Sequence, residues 1–387
     1  MPVTKFKNML YRFALPLLSP SSRASSYQTD GHPVTHLDQY KRIINRNHIL
    51  GSACLLSNGE DTSMIFSSLD QSMHHADKDT FFRVASITKM AVALLSLKLC
   101  EEGLFSLDAP VSDYLPNAND ISSLVGVTLR RILSHTSGLD DPEDLESALY
   151  KKQTFRDVLL RDGIRIHEPG TAFLYSNLAF GLIGSMVEYV TGKDVESVFR
   201  EKLFQPLGMK ATLDPTTLPY EKIMPISRVL PYHAGNDTVI IPLRRTPVTD
   251  PDPMHHFGYT AGGLYADVNS IRILLETITG RGKGYLNESL GNELCRQQSA
   301  YGTDCPGLDY GLGLFIISDP NLSEGRILGH QGFAYGCVDG AFVDENTGRL
   351  VVALNGGCSE LRNGRLGVAN EDILSWAFGK EIPSWRC

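Results

Sequence analysis

Apolar residues cluster along the chain in two rhythms, one helical and one alternating with turns. The run Met90-Ala91-Val92-Ala93-Leu94-Leu95, closed by Gly103, predicts a helix with a glycine stop. A second helix is expected from about Leu178 to Val190, after a Pro169-Gly170 turn. Leu129, Ile132 and Leu133 have the spacing of a short helix within 128–133, and Leu37 to about Asn45 reads as an opening helix. Gly51 to Leu56 and Met64 to Ser67 are β runs. Late in the chain, 326–328, 340–343 and 349–354 alternate with turns, Asp344 to Gly348 has the composition of a hairpin connection, and Glu371 to Gly379 predicts a closing helix. Between these blocks, 108–210 reads as mainly helical. Residues 211–258, rich in Pro, Asp and Thr, carry few periodic segments and read as irregular.

Composition narrows the class. A chain of 387 residues with 42% hydrophobic and 21% charged content can bury a large core. A net charge of −8 supplies no broad basic surface, so neither nucleic acid nor an anionic membrane is an expected partner, and no apolar run approaches the length of a membrane span. The first 35 residues differ from the rest: Lys5, Lys7, Arg12 and Arg23 surround a short apolar stretch before a serine-rich segment. Arg12 interrupts what would be a signal-peptide core, so 1–35 reads as a flexible arm and the expected location is cytoplasmic. Seven cysteines without a close pair fit reduced thiols. The spacing of His, Cys and acidic residues matches no zinc or phosphate-loop pattern, so no metal and no cofactor is expected.

The candidate chemistry lies at the start of the Met90–Leu95 helix. Ser86 and Lys89 stand three residues apart, on one face of a first turn. Serine attacks a carbonyl only when a neighbour removes its proton, and a lysine can do so if burial or positive potential lowers its pKa. Capping by Ser86 and a solvated Lys89 is the competing reading. Two further stretches tilt the balance, Tyr175-Ser176-Asn177 after the Pro-Gly turn and His330-Gln331-Gly332-Phe333 among the late strands.

In this order the three motifs resemble those of the serine β-lactamase and penicillin-binding protein superfamily, in its class C β-lactamase-like branch. Leu133-Ser134-His135-Thr136-Ser137-Gly138-Leu139 and Ala261-Gly262-Gly263-Leu264 add to the likeness, which runs from about residue 36 to near the C-terminus. The resemblance implies an α/β (α+β) fold of the β-lactamase/transpeptidase type, an antiparallel sheet flanked by helices with a mainly helical domain inserted. Residues 36–107 and 259–387 would form the α/β part and 108–258 the helical and irregular insertion. By the same resemblance Ser86 would be acylated and Lys89 would take its proton. Tyr175, as phenolate or proton shuttle, would serve the leaving group, and Asn177 would bind substrate and lysine. His330, where lactamases usually carry lysine, would line the substrate side of its strand beside Gly332. The backbone N–H groups of Ser86 and Phe333 would form an oxyanion hole. Asn177 also suits a helix N-cap, and His135 reads as a loop-shaping residue.

The expected activity is that of a serine hydrolase cleaving an ester, small amide or peptide, with weak β-lactamase action as a side possibility. An acyltransferase using the same Ser86 intermediate and a noncatalytic binding protein on this fold are the alternatives.

Overall fold

The structure is a computed structural model and describes residues 24–31, 37–69, 74–145, 153–229, 238–239, 259–302 and 305–380. Its centre is a nine-stranded sheet built from β1 (Ser26–Gly31), β2 (Ser52–Ser57), β3 (Thr62–Ser68), β4 (Ser299–Ala300), β5 (Leu308–Tyr310), β6 (Phe315–Ile317), β7 (Ile327–Ala334), β8 (Cys337–Asp344) and β9 (Leu350–Asn355). The spatial order is β1-β3-β2-β9-β8-β7-β6-β5-β4. Neighbours pair antiparallel throughout. The strands that open the described chain and those that close it therefore meet in the middle of one sheet, where β2 pairs with β9 through Ala353↔Cys54 and Leu354↔Ala53.

Alternation explains why both faces are apolar. Along β2, Ala53 and Leu55 point into one core while Cys54 points into the other, and along β9 Val352 and Leu354 oppose Val351 and Ala353. A sheet covered on both sides needs no polar face, which is why its strands read as unbroken apolar runs. One face packs on α1 (Leu37–Arg46) and the closing helix Val368–Ala377, where the Tyr40 and Trp376 rings lie 5.0 Å apart. The other face packs on α2 (Thr88–Glu101) and on Val268–Thr279.

Helix α2 is buried from Thr88 through Leu97, on all sides. Each fully buried leucine there contributes about 2 kcal/mol, so the helix is a rigid post for whatever its first turn carries. It ends at Glu101, with Gly103 taking a left-handed φ of 75°, as its sequence position predicts. The second long helix, α3 (Asn177–Thr191), stops at left-handed Gly192.

Most boundaries agree with the sequence reading, including the antiparallel sheet flanked by helices. Three differ. Ser26–Gly31, placed in the flexible arm by its polar sequence, is an edge strand whose backbone pairs with Ser63–Ser68. The closing helix begins three residues early, at Val368. Ser176, not Asn177, is the N-cap of α3, its side chain accepting the Ala179 N–H at 3.0 Å. Most of the irregular 211–258 stretch, 230–237 and 240–258, lies outside the described residues. Among the described residues no helix is long and apolar enough to cross a membrane.

Candidate active site

Ser86 sits in a single 3-10 turn, Ala85–Ile87, that leads into α2. The turn is strained: Ala85 takes φ 44°, a left-handed conformation that a β-carbon disfavours. It is held from three sides. Thr88 Oγ1 donates to the Ala85 carbonyl at 2.6 Å and accepts the Leu264 N–H at 3.1 Å, while the Val84 N–H donates to the Leu264 carbonyl at 3.0 Å. Strand β7 closes the third side. A β-carbon on Gly332 would come within 2.4 Å of the Val84 carbonyl, so only glycine lets the strand lie this close to the serine turn.

Lys89 follows on the first turn of α2 and is wholly buried. Its Nζ reaches the Ser86 Oγ at 3.2 Å, the Asn177 Oδ1 at 2.9 Å and the Ala261 carbonyl at 2.6 Å. Burial, the largest influence, pushes the ammonium down to about 7; the Asp141 carboxylate works against this and Arg83 with it. A lysine half neutral near pH 7, with its nitrogen against a serine hydroxyl, has the chemistry of a base.

Tyr175 stands over the pair, its ring centroid 4.9 Å from Lys89 Nζ, with Ser86 as a polar neighbour of its hydroxyl. Burial pushes this phenol above its ordinary value, with Ser86, Arg365 and Arg362 acting against the rise. The phenol is therefore neutral at physiological pH, which favours the proton-shuttle role over a standing phenolate. The tyrosine is set by His135, whose ring lies 4.2 Å from the Tyr175 ring and whose Nδ1 accepts the Ser176 N–H at 3.1 Å. His135 itself takes φ 55° in the turn before Gly138, and its burial holds it neutral. Gly138, at φ 76°, passes so near the His167 carbonyl that a β-carbon would fall 2.0 Å from the oxygen. The His-Thr-Ser-Gly loop thus shapes the tyrosine loop, as its sequence implies.

The third motif lies on β7. His330 is 1% exposed, both its ring nitrogens are engaged inside the protein, and its ring centroid lies 6.4 Å from that of Tyr175. Nδ1 meets the Gln331 carbonyl at 2.6 Å and Nε2 meets the Tyr310 hydroxyl at 2.9 Å, with the ring stacked 4.5 Å from Phe315. Since the carbonyl can only accept, Nδ1 carries the proton and Nε2 accepts from Tyr310. Burial and the nearby Lys89 charge push the imidazole down to about 3. Phe333 is only partly buried, and the Arg362 guanidinium lies 3.6 Å over its ring.

Structure thus gathers Ser86, Lys89, Tyr175 and Asn177 directly and places His330, Gly332 and Phe333 around them. Sequence reasoning missed three participants. Ala261 stands in the Ala261-Gly262-Gly263-Leu264 stretch, but the role of its carbonyl as an acceptor for Lys89 shows in no side-chain pattern; it is fixed because Thr260 Oγ1 donates to the Phe180 carbonyl at 2.7 Å. Arg365, from the hairpin before the closing helix, reaches Tyr175 only through its charge. Asp141 bonds the start of α3, and its one sequence signal was its position just after the His-Thr-Ser-Gly turn. Among the described residues no cluster of His, Cys, Asp and Glu has the form of a metal site.

Comparison with known proteins adds to this geometry. The model of the family described as Beta-lactamase matches residues 45–356. The chain is 29% identical over 346 residues to esterase EstB of Burkholderia gladioli, spanning 77% of this chain and 82% of that protein. It is 31% identical over 143 residues to the D-alanyl-D-alanine-carboxypeptidase/endopeptidase AmpH of Escherichia coli (strain K12), 35% of this chain and 37% of that one. Among solved structures, a D-stereospecific amidohydrolase from Streptomyces sp. superimposes with a TM-score of 0.69 at 21% identity, covering 90% of this chain and 100% of that chain. EstCE1, described as a hydrolase with promiscuous acyltransferase activity, does so at 0.66 and 23%, covering 89% and 97%.

Proposed function

The chain belongs to the Beta-lactamase family, and from that premise we propose that it is a serine hydrolase that forms an acyl-enzyme on Ser86 and cleaves a small carboxylic ester. One observation carries the reading: the buried Lys89 nitrogen, with a pKa near 7, lies 3.2 Å from the Ser86 hydroxyl. In the acylation step Lys89 takes the Ser86 proton as Oγ bonds to the substrate carbonyl carbon. The tetrahedral intermediate collapses by breaking the bond to the alcohol oxygen. That oxygen takes the Tyr175 phenol proton, and the lysine's proton replaces it on the tyrosine. Water then attacks the acyl carbon, giving a proton to Lys89 through Tyr175; the bond to Ser86 Oγ breaks, the carboxylic acid leaves, and Lys89 returns the proton to the serine oxygen. Donation from the backbone N–H groups of Ser86 and Phe333 to the developing oxyanion is part of this reading.

Two features favour an ester over a β-lactam or other acidic amide. The strand position that would bind a drug's carboxylate through a lysine holds His330, which is buried and neutral. The extended likeness to esterase EstB points the same way. The reading is tested by intact-protein mass spectrometry after incubation with a fluorophosphonate, alongside turnover of p-nitrophenyl acetate. One adduct is expected on the wild type and none on Ser86→Ala, whose turnover falls by on the order of a thousandfold or more. Equal labelling of both proteins would remove Ser86 from the mechanism.

A further inference from the structure

Lys89 has three polar neighbours, and their chemical types decide what it can do. A neutral amine has two N–H bonds and one lone pair. The Ala261 carbonyl accepts and cannot donate, so it takes one N–H. Ser86 can do either. The outcome therefore rests on Asn177, whose amide presents an acceptor at one end and a donor at the other. With Oδ1 toward the lysine the second N–H is used, and the lone pair is left for the Ser86 proton. With Nδ2 toward the lysine, the amide would compete with Ser86 for that lone pair.

Asp141 removes the ambiguity. One carboxylate oxygen accepts Asn177 Nδ2 at 2.8 Å; the other accepts the Leu178 N–H at 2.8 Å and the Ser176 hydroxyl at 3.1 Å. A carboxylate, held in place here by the Leu178 N–H and the Ser176 hydroxyl, can only accept and cannot face the amide's oxygen without repulsion. We propose that Asp141 is a positioning residue of this site, holding the Asn177 amide with its oxygen toward Lys89 so that the lysine's lone pair is directed at Ser86. The assignment rests on the Ser86–Lys89 hydrolase reading and deepens it. Asp141 touches no reacting atom and acts through Asn177 and through its charge.

That charge has a measurable sign. The groups that face Lys89 are Asp141 from the loop after Gly138, Arg83 from the strand before Ser86, Tyr175 and His135 from the two interlocked loops, and His330 from β7. Of these Asp141 is the one whose negative charge favours the lysine's proton. Removing it makes Lys89 more acidic.

The test is Asp141→Asn, with Ser176→Ala as the contrast and p-nitrophenyl acetate as substrate. Ser176→Ala removes the helix cap yet leaves the carboxylate and its Asn177 bond, so it is expected to lower the melting temperature with the acid limb of kcat/KM in place. Asp141→Asn is expected to move that limb to lower pH by about one unit. It should also cut kcat by on the order of tenfold to a hundredfold with little change in KM. Asn177→Ala should lose as much, and the double variant no more than Asn177→Ala alone. Titration of the Lys89 ammonium by 15N-lysine NMR gives the same shift without any turnover. If Asp141→Asn does not fold, Asp141→Glu keeps the charge and displaces it, and a lowered kcat with the limb retained is then expected. An unmoved limb and Lys89 titration in Asp141→Asn, or additive losses in the double variant, would reduce Asp141 to a helix cap. Absence of Ser86-dependent turnover in the wild type overturns the hydrolase reading instead, and the NMR titration still decides the role of Asp141.

Discussion

A lysine ammonium taken out of water loses its hydration, and here three acceptors replace it only in part, so its proton is held weakly at neutral pH. The protonated form has no lone pair and cannot act as base. Activity that depends on Lys89 should therefore rise about tenfold per unit of pH below about 7 and level off above it. A kcat/KM profile for p-nitrophenyl acetate checks this, and a limb governed by an ordinary carboxylate near pH 4 would contradict it. His330 is excluded as the source of the limb, since burial holds it neutral down to about pH 3. Ser86 and Lys89 were legible in the sequence because three residues on a helical turn fix a short range of separations. Asp141 was not, because its partner lies 36 residues on.

At the scale of elements, the site is a junction of four pieces: the strained turn into α2, the capped start of α3, the 259–264 segment and strand β7. Their spacing is set by small residues. Gly332→Ala places a β-carbon 2.4 Å from the Val84 carbonyl and 3.0 Å from Asp339 Oδ2, both held in the core, so the strand must retreat from Ser86. Its kcat is expected to fall by on the order of a hundredfold, with a melting temperature within several degrees of wild type. Retained turnover in a folded variant would show that β7 does not need this closeness. Helices α1, α2 and α3 and strands β2, β3, β8 and β9 followed from periodicity, whereas the helix Val268–Thr279 and the short strands β4, β5 and β6 were not read from it. Where boundaries shifted, the cause was tertiary: Ser176 became the cap because its hydroxyl also bonds Asp141, and polar Ser26–Gly31 became a strand because β3 offered an unpaired edge.

For the whole molecule, the decisive contact is β2 against β9, which joins residues 52–57 to 350–355. Long separations of this kind make the sheet slow to assemble and dependent on both parts of the chain. A variant lacking residues 1–69 keeps every motif residue but exposes Val352 and Leu354 of β9 along an open, apolar edge. It is expected to be recovered as aggregate, with no fluorophosphonate labelling of Ser86. A soluble, labelled product would show that the site region folds without β1, β2 and β3. The sheet is covered by helices on both faces, so its stability and the placement of α2 are a single property of the fold.

The sequence by itself determined most of the long helices and central strands and the Ser86–Lys89 pairing proposed as nucleophile and base, because apolar periodicity and a three-residue spacing act through neighbours a few bonds away. It also fixed which short motifs accompany them, and those motifs carried the family likeness. Only the tertiary structure decided what each polar group faces. It put the Ala261 carbonyl and the Asn177 oxygen on one lysine, turned His330 inward onto Tyr310 and Phe315, and set Asp141 behind the amide. Hydrogen-bond partners and desolvation depend on which distant segments exclude water from a point in space, and no local pattern records that.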